Sequence, residues 1–188
     1  MTAKSIASTA AGCLVALAVA GFADTADEQR ATLKQFTTSI QQYVQLHRQI
    51  ERQLPLLHAR SDAQEIVESS NAMASALQTI RAGVREGNIF TATVAVLLRS
   101  RIADALDARG FTAEQVIAAS LEEADEEAPL PVVNGRFPWT RGAEMWPCVL
   151  NALPDLPDEL QYRIVGRDLV LIDVHANLVV DILRNAVQ

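Results

Sequence analysis

The chain has 188 residues and a net charge of −7, with 49% hydrophobic, 21% charged and 5% aromatic residues. This length corresponds to one domain, with room for a small appendage, and the composition excludes a disordered or collagen-like chain. The negative charge repels a phosphate backbone, so nucleic acid is not an expected partner. Composition therefore excludes classes of protein without identifying a function.

Residues 1–23 are predicted to be a secretory signal peptide. Lys4 is the only charged residue before Asp24, and an apolar run fills positions 10–20 between them. Small residues then occupy positions −3 and −1 of a cleavage site after Ala23. The run is shorter than the roughly 20 residues of a membrane span. We therefore expect membrane contact only through this segment. The alternative is that the segment stays uncleaved and serves as an N-terminal anchor. The mature protein is predicted to be periplasmic or secreted.

Cleavage after Ala23 leaves one cysteine in the mature chain. Cys13 is removed with the signal segment and Cys148 remains, so an intramolecular disulfide is excluded. Cys148 lies in an apolar stretch with no basic neighbour that would activate a thiol, and it is predicted to be a buried hydrophobic residue.

Residues 24–128 are predicted to be a helical region. The first helix has no Gly or Pro from Asp27 to Leu54, and Pro55 ends it. Spacings of three and four residues place these positions on one buried face: Leu33, Phe36, Ile40, Tyr43, His47, Ile50 and Leu54. On this pattern His47 is predicted to be a core or rim histidine rather than a ligand.

The second helix is predicted to begin at a capping box of Ser61 and Gln64. Its buried face is predicted to contain Ile66, Ser70, Met73, Leu77, Ile80 and Val84. Two helices joined by a short turn are expected to pack as an antiparallel hairpin. Burying one Leu or Ile side chain is worth roughly 1.5–3 kcal/mol, so the hairpin should close on itself or on a protein partner. His58, in the turn, is expected to be solvated.

Two shorter helices follow. The third is predicted from Thr91 to Ala108, with Val94, Leu97, Leu98, Ile102 and Leu106 facing inward. A second capping box, of Thr112 and Gln115, opens the fourth, whose apolar residues are Val116, Ile117 and Leu121. The acidic run at 122–127 is predicted to be a solvated helix end and linker.

Residues 129–188 are predicted to contain an irregular segment and a small β module. Alternation and turn residues predict strands at 161–165, 169–174 and 178–183, with a C-terminal helix as the alternative for the last. We expect an antiparallel meander with the second strand at its centre, one face on the helices and the other under residues 139–146. The fold class is therefore α+β.

Two stretches carry a resemblance to known proteins. Residues 80–91 and 162–181 resemble a family of uncharacterised exported bacterial proteins, which has no activity to carry over. The tail is also loosely similar to the C-terminal module of periplasmic nickel/cobalt-homeostasis proteins, which share a Pro-rich lead, a Tyr-Arg strand, a turn and a Val/Ile-Val-Asp strand. The present chain lacks their His-rich stretch and has three histidines.

Asp173, His175 and Asp181 are the candidate metal ligands. Asp173 and His175 are two residues apart, which on a strand places both side chains on one face, and Asp181 follows on the next strand. A hydrogen-bonded turn is the role that the pattern favours for these residues, and a metal or acid–base role is the alternative. The chain has no G-x-S-x-G, P-loop or G-x-G-x-x-G motif, so we expect neither an enzyme nor a cofactor.

Two functional hypotheses follow from the sequence. The first is a non-enzymatic cell-envelope protein whose helical hairpin binds a protein partner or self-associates. The alternative is a periplasmic metal-binding or small-ligand-binding protein that uses the C-terminal sheet.

Overall fold

A computed structural model describes residues 14–55, 62–122, 124–125, 127–142 and 145–188, with side chains described from Thr25 onward. Its elements are α1 (Leu14–Glu51), α2 (Ala63–Ile80), α3 (Ala92–Asp107), α4 (Ala113–Glu122), a 3-10 turn (Trp139–Arg141), α5 (Pro147–Ala152), β1 (Leu160–Val165), β2 (Asp168–Asp173) and β3 (Leu178–Leu183). The predicted α+β class is confirmed. None of the described helices is long and apolar enough to cross a membrane.

Several predictions concern the N-terminal segment, the turn after α1 and the cysteines. Cys13, His58 and Ser61 lie outside the described residues. The predicted cleavage site after Ala23 falls within α1. Cys148 is half-buried and has a free thiol.

The buried face of α1 follows the predicted pattern. Phe36, Ile40, Tyr43, His47 and Ile50 are buried in the core that joins the helices to the sheet. The helix ends at Glu51 rather than near Leu54, which is half-buried beyond its last turn. The buried face of α1 therefore packs as expected, and the helix ends three residues earlier than predicted.

The buried face predicted for α2 is confirmed at Met73 and Leu77 and is wrong at Ile66 and Ile80. Its cap is Asp62, whose side chain accepts a hydrogen bond from the Glu65 amide, while the Glu65 carboxylate accepts one from the Asp62 amide. Its buried residues are Ser69, Met73, Ala74 and Leu77. Ile66 and Ile80, which were predicted to be buried, are 51% and 58% exposed.

Polar contacts explain the rotated face of α2. Ser69 is bonded to His175, and the buried guanidinium of Arg81 donates to the Val180 carbonyl and the Asn134 side chain. Buried polar groups need such partners. These long-range bonds turn Ser69 and Arg81 inward and leave the isoleucines at the surface.

The third and fourth helices agree with the sequence except at Leu121. All five predicted inward residues of α3 are buried, and the Thr112–Gln115 capping box is formed in both directions. Leu121 is exposed, whereas Ser120 is buried and its hydroxyl accepts a hydrogen bond from the Gly166 amide. This contact holds α4 against the turn between the first two strands.

The C-terminal strands form the predicted antiparallel meander in the order β1-β2-β3, so β2 is central. Residues 178–183 are a strand, and the helical alternative is wrong. Val174 was predicted to extend the second strand, but β2 ends at Asp173 and Val174 is exposed. Gly166 supplies the positive φ, +59°, of the first turn.

Each face of the sheet has its own apolar cluster. Leu169 and Leu171 pack with the helices, whereas Val170 and Ile172 pack with Phe137 and Val133. The prediction that residues 139–146 cover the second face is therefore correct only at Trp139, whose ring contacts Phe137 and Arg163. Residues 133–137 form the rest of the cover, and Met145 and Trp146 pack with the cluster on the other face. Backbone bonds explain the difference, because Asn134 and Phe137 donate to the carbonyls of Val179 and Asn177 and hold this segment beside β3.

A β-bulge interrupts the pairing of β2 with β3. Leu171 pairs with Asp181 and Ile172 with Val179, which leaves Val180 as the extra residue. Because paired residues share a face, Asp181 lies on the same side as Leu171, which packs towards the helices. The bulge thus places a buried carboxylate among the helix connections.

Candidate metal centre

A buried carboxylate at the end of β2 organises the candidate site. Asp173 Oδ2 accepts hydrogen bonds from the Tyr43 hydroxyl at 2.8 Å and from His47 Nδ1 at 2.6 Å. Asp173 Oδ1 accepts one from the Ala176 amide at 2.8 Å. Both oxygens are therefore occupied, and the contacts join α1 to the end of the sheet.

The charge of Asp173 sets the protonation of its two side-chain donors. Burial lowers the pKa of His47, but the hydrogen bond and charge of Asp173, with Glu51 and Glu159, outweigh this and raise it above its ordinary value. Burial, then the charge of Asp173, raises the pKa of the Tyr43 hydroxyl well above its usual range. Tyr43 is thus a protonated donor at neutral pH, and His47 keeps its proton on Nδ1.

A second histidine approaches from the turn between β2 and β3. His175 Nε2 lies 3.0 Å from Ser69 Oγ on α2, and His175 Nδ1 lies 3.4 Å from Glu51 Oε1 on α1. His47 Nε2 is 4.0 Å from the same Glu51 oxygen. The two imidazole rings are 5.9 Å apart between centroids. These two ring nitrogens make no hydrogen bond within the described part of the chain, and they flank one carboxylate.

His47, Glu51 and His175 form a possible metal-ligand set. One donor atom of each lies within 4.8 Å of those of the other two, and no other such group occurs among the described residues. His47 and Glu51 are four residues apart and so share a face of α1. Ligands of a tetrahedral zinc ion lie about 3.4 Å apart, given metal–ligand distances near 2.1 Å. The present separations require only small side-chain movements to reach that geometry.

The three residues predicted from the sequence have different roles. His175 belongs to the ligand set, and Asp173 lies behind it as the partner of His47. Asp181 has a separate set of partners: its oxygens accept hydrogen bonds from the amides of Gly87, Ile89, Phe90 and Ile182. The structure does not bring Asp181 into the group with His175.

Glu51, a possible ligand, was not predicted from the sequence, and His47 was predicted to be a core residue. His47 is indeed buried, but its ring is bonded to a carboxylate rather than packed only among apolar groups. The spacing of His47 and Glu51 was the available signal. It was weak because His175 and Asp173 are brought to α1 only by the packing of the sheet.

Ser69, His175 and Glu51 also resemble the order of a hydroxyl, a base and an orienting carboxylate in serine hydrolases. However, Ser69 lies within α2 and is buried. A nucleophilic hydroxyl must reach a substrate, so this burial favours a role for Ser69 in orienting His175.

Searches of protein-family models, of curated proteins and of solved structures found no match to this chain.

Proposed function

We propose that this chain is an exported, non-enzymatic protein of the cell envelope that binds a divalent transition-metal ion through His47, Glu51 and His175. One observation carries the proposal. Each imidazole has one nitrogen held by a protein group and its other nitrogen within 4.0 Å of the same Glu51 oxygen. Metal-binding histidines in proteins almost always have such a partner on their second nitrogen, because it fixes the tautomer and the ring orientation.

The donor set favours one class of ion. Two imidazoles and one carboxylate suit zinc and its neighbours in the first transition row. Magnesium and calcium prefer oxygen ligands alone. Because the ligands come from α1 and from the turn after β2, a bound ion would strengthen the contact between helix and sheet.

Thermal melting of the mature protein with Zn²⁺, Ni²⁺, Co²⁺ or Mg²⁺ tests the site. An ion at 100 times its dissociation constant adds roughly 2.7 kcal/mol to the free energy of unfolding. We expect a higher melting temperature with at least one transition ion and no change with Mg²⁺. No shift with any transition ion would rule out the site.

A matched pair of α1 variants localises the effect. Glu51→Gln removes a ligand whose side chain is 52% exposed, so the fold should tolerate it while the metal-induced shift is lost or much reduced. Glu28→Gln, also exposed on α1, should retain the full shift. Equal shifts in both variants would place the ion elsewhere.

Export rests on the predicted signal peptide. N-terminal sequencing of protein from its native host should begin at or near Asp24. A chain that still begins at Met1 would contradict cleavage.

The exposed side of α2 favours a second candidate function, binding of a protein partner. Ile66 and Ile80 are each more than half exposed. Fourteen residues separate them, so they lie on the same side of the helix about 21 Å apart.

Crosslinking in the envelope should capture a partner or a second copy of the chain. The double variant Ile66→Ser with Ile80→Ser should abolish the crosslinked product. Val96→Ser, at an exposed position on α3, should leave it intact, and equal loss in both cases would exclude the α2 surface.

A further inference from the structure

We infer that Ser69 is a positioning residue of the metal site: its hydroxyl oxygen accepts the Nε2 proton of His175 and so makes Nδ1 the nitrogen that binds the ion. The inference rests on the proposed function and assigns a role to a residue outside the ligand set. It follows from the partner of the Ser69 hydroxyl, from the contacts of the His175 ring and from the separate contacts that hold the turn.

The Ser69 hydroxyl differs from three other helix hydroxyls in its partner. Those of Thr38, Ser75 and Thr79 each donate to the carbonyl four residues earlier in the same helix, which is a usual partner for such side chains. Ser69 Oγ lies 3.0 Å from Nε2 of His175, which is 106 positions away in the chain. Ser69 is also buried, where a hydroxyl without a partner is costly. The Ser69 hydroxyl therefore binds the turn after β2.

Two contacts fix the orientation of the His175 ring. Nε2 lies 3.0 Å from Ser69 Oγ, and Nδ1 lies 3.4 Å from Glu51 Oε1. If the ring turned over about its Cβ–Cγ bond, carbon atoms would replace both nitrogens and both contacts would be lost. With an ion on Nδ1, the neutral imidazole carries its proton on Nε2, where the Ser69 oxygen accepts it. His47 has the opposite arrangement, because Asp173 holds its Nδ1 and leaves Nε2 for the ion.

The position of the turn does not depend on Ser69. The Arg136 guanidinium donates to the Ala176 carbonyl and to the Asn71 side chain on α2. Ala176 is fully buried, so this link holds the backbone beside His175 against α2. Loss of the Ser69 hydroxyl should therefore release the imidazole ring and leave the turn in place.

The Ser69→Ala variant tests this role, and Ser75→Ala, at an exposed position of the same helix, is its control. Competition with a chelator measures the zinc affinity of the mature proteins. We expect about 10–100-fold weaker binding in Ser69→Ala, which is the usual cost of losing a group that orients a metal ligand, and no change in Ser75→Ala. Unchanged affinity in Ser69→Ala would overturn the inference. An equal loss in both variants would also overturn it, because the effect would then belong to α2 as a whole.

Side-chain ¹⁵N NMR of the zinc-saturated proteins separates positioning from stability. In the unmodified protein we expect zinc on Nδ1 of His175 and a proton on Nε2 that exchanges slowly with water. In Ser69→Ala this proton should exchange fast, because the His175 side chain is 22% exposed, while Asp173 still protects the Nδ1 proton of His47. Zinc on Nε2 of His175 in the unmodified protein, or an Nε2 proton that stays protected in Ser69→Ala, would overturn the inference.

The unmodified protein separates failure of the site from failure of this role. A chain that binds no zinc contradicts the proposed function and this inference together. Zinc binding that Ser69→Ala does not weaken contradicts this inference alone.

Discussion

His47 Nδ1 lies 2.6 Å from Asp173 Oδ2, although the two residues are 126 positions apart in the chain. Tyr43 donates to the same oxygen from the preceding turn of α1. Because a buried carboxylate without donors is costly, the three side chains together fix how α1 meets the sheet. The same contacts determine the orientation of the His47 ring and therefore the geometry of the candidate metal centre.

Asp173→Asn should lower the free energy of unfolding by about 3–5 kcal/mol, because it removes the charged partner of a buried hydrogen-bonded pair. Urea denaturation of the metal-free protein measures this change. Asp158→Asn, at an exposed position, should have little effect. Similar losses in both variants would mean that Asp173 does not anchor α1.

The contribution of His47 to stability should depend on pH in a defined direction. Its pKa in the folded chain is raised above the value of 6.5 expected in the unfolded chain. The charged contact with Asp173 is therefore fully present below about pH 6.5 and is lost as the pH rises through the raised pKa. The stability difference between the unmodified protein and His47→Gln, measured with a chelator present, should narrow over that interval. A difference that widens with rising pH would contradict the pairing.

Asp181→Ala should release the connection between α2 and α3. Three amides of that connection, those of Gly87, Ile89 and Phe90, donate to the Asp181 carboxylate. Hydrogen exchange should become selectively faster at these amides, because the variant lacks the carboxylate whose hydrogen bonds protect them from exchange. Asp107→Ala, exposed at the end of α3, serves as the control. Unchanged exchange in the Asp181 variant would remove the role assigned to the β-bulge.

Gly166→Val should cost about 1–3 kcal/mol, because a β-branched residue is strained at a φ of +59°. A Cβ at this position would meet no atom within 4 Å, so the cost comes from the backbone conformation and not from a clash. Gly166→Asn should be milder, since Asn tolerates positive φ. Denaturant midpoints that rank Asn below Val would be inconsistent with this explanation.

Local patterns predicted most of the fold. The buried faces of α1 and α3 and the three strands follow from spacings within each segment, which the sequence displays directly. The phase of α2 could not be predicted in this way. Buried Ser69 and the capping residue Arg81 have their partners at His175 and Val180, which are 106 and 99 positions away in the chain.

The candidate site was only partly predictable for the same reason. His175 was identified from its spacing to Asp173, but its closest potential co-ligand, Glu51, lies on α1. Asp181 appeared equivalent to Asp173 in sequence. The β-bulge directs it to a different set of backbone donors.

The central claim is that an ion binds between His47 and His175, and side-chain ¹⁵N NMR of the histidines during a Zn²⁺ titration tests it most directly. We expect His47 Nε2 and His175 Nδ1 to show the resonance shifts of metal-bound nitrogens, while His47 Nδ1 stays protonated. The third histidine, His58, should not change and serves as the internal control. Absence of shifts at His47 and His175, or equal shifts at all three histidines, would contradict the proposed site.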